Sequence, residues 1–167
     1  MRKKTIFNKI SLRLLLVLAF FNNTSSSYSQ ELEKQDTIYF NKSMVFIFNE
    51  NNKIAEFTIE LVNTKEKRER GLMYRKALNK NAGMLFDFKN SKKVSFWMKN
   101  TYIPLDIIFI DRRGYIVKTH ENAVPHSIKS IDSEFLVRYV LEINAGLIDK
   151  FNINIGDKVV YKIFDED

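Results

Sequence analysis

The sequence predicts a mainly β domain, a compact antiparallel sandwich or barrel with one or two short helices. Three observations predict it. Apolar, aromatic and β-branched residues recur in short runs. Several of those runs alternate with a period of two, the mark of a strand with one buried face. Only two stretches carry helical spacing, so strands dominate and pack in layers or close on themselves.

The elements follow in order. "TIYF" (37–40) and "SMVFIF" (43–48) read as strands, and "FNENNK" (48–53) reads as the turn that leads to the next. In "IAEFTIELV" the residues Ala55, Phe57, Ile59 and Leu61 form an apolar set facing Glu56, Thr58 and Glu60 on the other side. "NTKEKRERGLMYRKAL" is polar and helix-friendly; Asn63 is placed to cap it, with Glu66 reaching back and Gly71 ending its first part. "VSFWMK" alternates again, with Val94, Phe96 and Met98 on one side and Ser95, Trp97 and Lys99 on the other. "LDIIFID" and "YIVKTHENA" are joined by "DRRG", a hairpin turn with Gly114 where positive φ is needed. "RYVLEI" is a further strand, "AGLIDKFN" a short helix with Leu147, Ile148 and Phe151 on one face, and "KVVYKIF" the last strand.

The N-terminus is expected to be a signal peptide over residues 1–29. Arg2, Lys3, Lys4 and Lys9 precede the apolar run "LLLVLAFF", and the small polar stretch "NNTSSSYSQ" follows, with cleavage before Gln30. The run is shorter than the roughly 20 residues that cross a bilayer. An uncleaved anchor is the alternative, and Arg13 beside the run suits neither reading well. Residues 30–36 then form a flexible linker, and 37–167 a single β-rich domain of ordinary size. The expected location is periplasmic or extracellular, with no stable membrane insertion after cleavage.

Charge and cysteine content narrow the function. The chain holds 27 Lys and Arg against 20 Asp and Glu, a formal charge of +7. Five of the basic residues and no acidic ones lie in 1–29, which leaves 22 against 20, or +2, for the mature chain. That near balance removes the electrostatic basis for nucleic acid as a partner. With no cysteine there are no disulfides and no thiol nucleophile, so 14 Phe and 7 Tyr supply much of the core.

The stretches "RGLMYRKAL", "GMLFDF", "FWMKNTYIPLDIIFID", "YVLEINAG" and "IGDKV" occur in an order that resembles a bacterial and archaeal family known as domain of unknown function 192. The resemblance runs from Ile54 to Ile163. It implies a compact, mainly β domain, often exported, and implies no established activity.

The residues themselves suggest a site. Asp106 and Glu142 lie among apolar strand residues, where a carboxylate is costly unless it is paired or hydrogen-bonded. Arg70, Arg75 and Lys99 are the expected partners, with Asn100 and Thr101 adding hydrogen bonds and Trp97 a flat apolar wall. One outcome is a salt-bridge network that only fixes a helix on a sheet. The other is a groove between "RGLMYR" and "FWMKNTYIPLD" that binds a small anionic or sugar-like ligand, or a peptide segment of an envelope protein. Binding without catalysis is the preferred reading, and no cofactor or metal is expected. An envelope hydrolase built on Asp106 or Glu142 is the alternative, the two together offering a carboxylate pair for glycoside chemistry. Met73, Met84 and Met98 near Trp97 raise Cu(I) binding as a third reading, against which methionine is a common core filler. His120 and His126 read as surface residues, and no HExxH, GxSxG or phosphate-binding glycine loop occurs.

Overall fold

A computed structural model describes residues 40–163 of the chain. The expected signal peptide, the linker and the acidic end of the chain lie outside the described residues. Among the described residues, nine strands and two short helices occur in the order β1 (Asn41–Asn49), β2 (Asn52–Val62), α1 (Lys65–Arg70), β3 (Ala82–Lys92), β4 (Ser95–Phe96), β5 (Leu105–Ile110), β6 (Ile116–Ala123), β7 (Ile131–Asp132), β8 (Val137–Asn144), α2 (Leu147–Phe151) and β9 (Lys158–Ile163).

The domain is mainly β, as the alternation predicts. Seven strands form one sheet in the order β6-β5-β8-β3-β2-β1-β9, and β4 with β7 makes a separate two-stranded ribbon. The sheet is mixed rather than wholly antiparallel: β2 and β3 run parallel, with Leu61 opposite Leu85. The physical reason is the connection between them. Residues 63–81, including α1, are long enough to carry the chain back to the starting edge, whereas the short turns between β1 and β2 and between β5 and β6 force those pairs to be antiparallel.

The sheet rolls without closing into a barrel. Its two ends meet at one corner, where the β5–β6 turn touches the start of β9 through Val159 N–H to the Gly114 carbonyl (2.7 Å) and Ile116 N–H to the Asp157 carbonyl (3.0 Å). Gly114 has φ +87°, and a Cβ there would lie 2.6 Å from the Val159 carbonyl oxygen. G114A is therefore expected to destabilise the domain by about 2 kcal/mol or more, read as a lower urea midpoint.

Rolling gives the sheet two covered faces. The inner face gathers Val45, Phe57, Ile59, Ile108, Leu141, Ile143 and Val159, with Ile148 of α2 closing it. The outer face gathers Met84, Phe86, Leu105, Ile107, Phe109 and Val140, and is covered by Leu72, Met98 and Ile103 from irregular segments and by Ile131 of β7. All six residues of β5 are buried because both faces above it are covered.

Local chemistry departs from expectation at two points. Thr64, not Asn63, caps α1, its Oγ1 accepting from Lys67 N–H at 3.3 Å. The "VSFWMK" strand shrinks to Ser95–Phe96, because Asn100 adopts φ +57° and Thr101 N–H bonds back to the Met98 carbonyl at 3.0 Å, bending the chain away. The predicted sidedness persists: Met98 is buried, while Ser95, Trp97 and Lys99 are exposed.

Candidate functional site

A groove of about 440 Å³ opens on the outer face between the segment that follows α1 and the bend after β4. This is the place where the sequence put a site, but its walls differ in part from those expected. Arg70, Trp97, Thr101 and Glu142 line it. Lys65, Arg68 and Lys92 line it too, as do Phe86, Phe88 and Phe96, none of which was singled out beforehand.

Its aromatic side is rigid. Phe96 packs edge-on against Phe86, with centroids 5.0 Å apart, against Phe88 at 6.3 Å, and against the core residue Phe109 at 6.1 Å. Two cations lie over one of these rings, Phe88. The Arg68 guanidinium sits 5.4 Å from the Phe88 centroid and the Lys92 ammonium 4.9 Å from it. Arg68 also donates to the Asp87 carbonyl at 3.4 Å. Lys65 has a carboxylate neighbour, Glu69, at a loose 3.7 Å. Arg70 stacks 4.7 Å from the Tyr74 ring.

Glu142 is the unusual member. It stands in β8 opposite Met84 of β3 and Ile107 of β5, and so shares their outer face. Only 5 % of it is exposed. Among the described residues no donor or ion-pair partner meets its carboxyl, although every side-chain oxygen sealed from solvent there has a hydrogen-bond partner. The Glu142 oxygens therefore reach the floor of the groove. Burial alone pushes its carboxyl up from 4.5 to about 8. At neutral pH it is a neutral acid with an unused O–H donor.

The single polar network expected from sequence is not assembled. Asp106 is fully buried, and its partners are backbone amides: Asn122 N–H at 2.9 Å and Ile148 N–H, in the first turn of α2, at 2.9 Å. Two N–H donors supply the compensation that the arginines were expected to give. Asp106 lies opposite Ile143, on the inner face, while Glu142 faces outward, so strand alternation holds the two carboxyls on opposite sides of the sheet. They do not form a catalytic pair. Arg75 instead makes a two-pronged bridge to Glu60 of β2, at 2.8 and 2.6 Å. Lys99 is outside the groove lining, with its ammonium 5.3 Å from the Trp97 ring. Asn100 donates to the Tyr74 hydroxyl at 2.8 Å and accepts from Tyr74 N–H at 2.8 Å, which ties the bend to the segment after α1.

Of the methionines, Met84 and Met98 are buried in the outer core and Met73 lines the groove wall. Among the described residues no group of three or more His, Asp or Glu side chains could hold a metal ion. His126 is exposed and packs 5.0 Å from Tyr102, whereas His120 is half-buried. Burial and the neighbouring Lys118 lower the His120 pKa.

Residues 46–161 match the family described as "Uncharacterized ACR", the domain of unknown function 192. The chain belongs to that family. Two solved relatives share the fold of this family member. One is a Sinorhizobium meliloti 1021 protein described as a candidate transcription regulator: it is 42 % identical, with a TM-score of 0.72 over 74 % of this chain and 96 % of that one. The other is a Novosphingobium aromaticivorans DSM 12444 protein of unknown function, 33 % identical, with a TM-score of 0.71 over 75 % of this chain and 89 % of that one. No curated protein matches the chain.

Proposed function

We propose that this chain is an exported envelope domain that binds a small anionic ligand, without catalysis, in the groove between the segment after α1 and the Trp97–Thr101 bend. The reading is carried by the pairing of a cationic rim with a floor whose acid is neutral. Lys65, Arg68, Arg70 and Lys92 place positive charge around a concavity. Neither Arg68 nor Lys92 is matched by a carboxylate among the described residues. Such a rim attracts anions, and the partly apolar walls raise the strength of each charge contact by excluding water. Phe86, Phe96 and Trp97 suit a flat or apolar body attached to the charged group. Among the described residues the groove lining holds two acids, buried Glu142 and exposed Glu69, and the second lies beside Lys65 rather than facing the first, which favours binding over a paired-carboxylate hydrolysis.

Benzoate, acetate and inorganic phosphate are the probes, with uncharged benzamide as the control. Calorimetric titration of the exported chain at pH 7 is expected to show benzoate binding, with benzamide at least about tenfold weaker. R68Q combined with K92Q is expected to lower benzoate affinity by about tenfold or more. Equal binding of benzamide and benzoate, or no binding of any of the three anions, would overturn the reading.

A further inference from the structure

We propose that Glu142 holds the bound anion as a neutral acid, donating its own proton to a ligand oxygen, so that the groove takes up an oxyanion and a proton together. This rests on the anion-binding reading above and names its ligand class: carboxylates and other oxyanions with a lone pair to accept, rather than spherical halides.

The geometry leaves Glu142 little alternative. Its carboxyl has no hydrogen-bond donor or ion-pair partner among the described residues to stabilise its charged form. Met84 and Ile107, facing it from β3 and β5, are apolar, and Val140 precedes it on the same face of β8. The charged groups that share the groove with it are Lys65, Arg68, Glu69 and Arg70 of α1 and Lys92 of β3, and Thr101 adds a hydroxyl. The Thr101 Oγ1–H makes only a long 3.4 Å contact with the Lys99 carbonyl. An oxyanion drawn in by the rim therefore meets a carboxyl at the floor. Two negative charges there, in an apolar wall, would repel each other strongly. A protonated carboxyl instead offers a short, charge-assisted O–H···O⁻ bond, among the stronger hydrogen bonds a protein makes. No covalent bond changes in this step: the proton stays on or between the two oxygens, and it leaves with the anion.

The coupling has a definite sign. Where free Glu142 is already protonated, binding needs no proton from solvent and affinity is flat with pH. Where free Glu142 is ionised, each bound anion brings in one proton, and affinity falls by up to about tenfold per pH unit. Burial places that break near pH 8.

The test is calorimetry with benzoate on the exported chain from pH 6 to pH 9, in Tris and in triethanolamine, whose protonation enthalpies differ. The expected result is a plateau below pH 8, a decline above it, and uptake approaching one proton at the alkaline end. E142Q, whose amide stays a neutral donor, is expected to bind benzoate with no such decline. Benzoate that binds wild type with flat affinity and no proton uptake, or E142Q with the wild-type slope, would contradict the proton coupling while leaving anion binding intact. Because the proton count is read on wild type alone, the inference stays testable if E142Q folds poorly. Benzoate that binds at no pH removes the groove reading and this inference with it.

Discussion

Raising the pH from 5 to 9 is expected to cost the wild-type domain roughly 3–5 kcal/mol of unfolding free energy, and E142Q to lose most of that slope. The cause is the difference between the two states of one carboxyl. In the unfolded chain Glu142 titrates near its ordinary 4.5, whereas in the fold burial raises it to about 8. Between those values the native state holds a proton that the unfolded state has released, so stability falls as pH rises. Below the window both states are protonated, and above it both are ionised with the full cost paid by the fold. Glu66, Asp111 and Asp132, whose carboxyls lie below their ordinary values, act at more acid pH. His120, lowered by burial, works in the opposite direction near neutrality, and comparison with E142Q subtracts its share. Urea unfolding at fixed ionic strength across the window reads the slope. E142M, apolar and of similar size beside Met84 and Ile107, is expected to raise stability at pH 8.

D106A is expected to lower stability by roughly 3–5 kcal/mol, a large share of what a domain of this size possesses. The substitution leaves two N–H donors without their acceptor, the buried one of Ile148 and the part-buried one of Asn122, and opens a void under α2. D106N retains one oxygen that can accept, and its loss is expected to be about half as large. Both are read as shifts of the urea midpoint at constant slope. Where D106A remains folded, its benzoate affinity is expected to equal that of wild type, since Asp106 faces the other side of the sheet from the groove.

Much of the fold could be read from local pattern. Alternation in residues 54–62 marked the buried set Ala55, Phe57, Ile59 and Leu61 of β2, and "DRRG" marked the β5–β6 turn with Gly114 at positive φ. The parallel pairing of β2 with β3 was not legible, because nothing in a strand's own residues records which neighbour it meets or in which direction. The site divides along the same line. That Asp106 and Glu142 must be compensated or functional follows from the cost of burying a carboxyl, and the structure bears out the first for Asp106. Which donors compensate it depends on where β6 and α2 pass, and the sequence shows charged partners more readily than backbone amides. Arg75 is similarly expected from sequence to pair with Asp106, while Glu60 of β2, across the sheet from β5, holds it. Arg68 escaped notice because a run such as "TKEKRER" usually faces water, and Lys92 because it lies far from that run in sequence; Phe88, between the two cations, brings them together at the groove.

The measurement closest to the centre of this account is a titration of the Glu142 side-chain carboxyl by carbon NMR on selectively labelled, ligand-free protein. The expected midpoint lies near 8, far above the ordinary 4.5 of a glutamate. A midpoint near 4.5 would mean that Glu142 is solvated or paired, and would contradict both the neutral floor of the groove and the proton-coupled binding built on it.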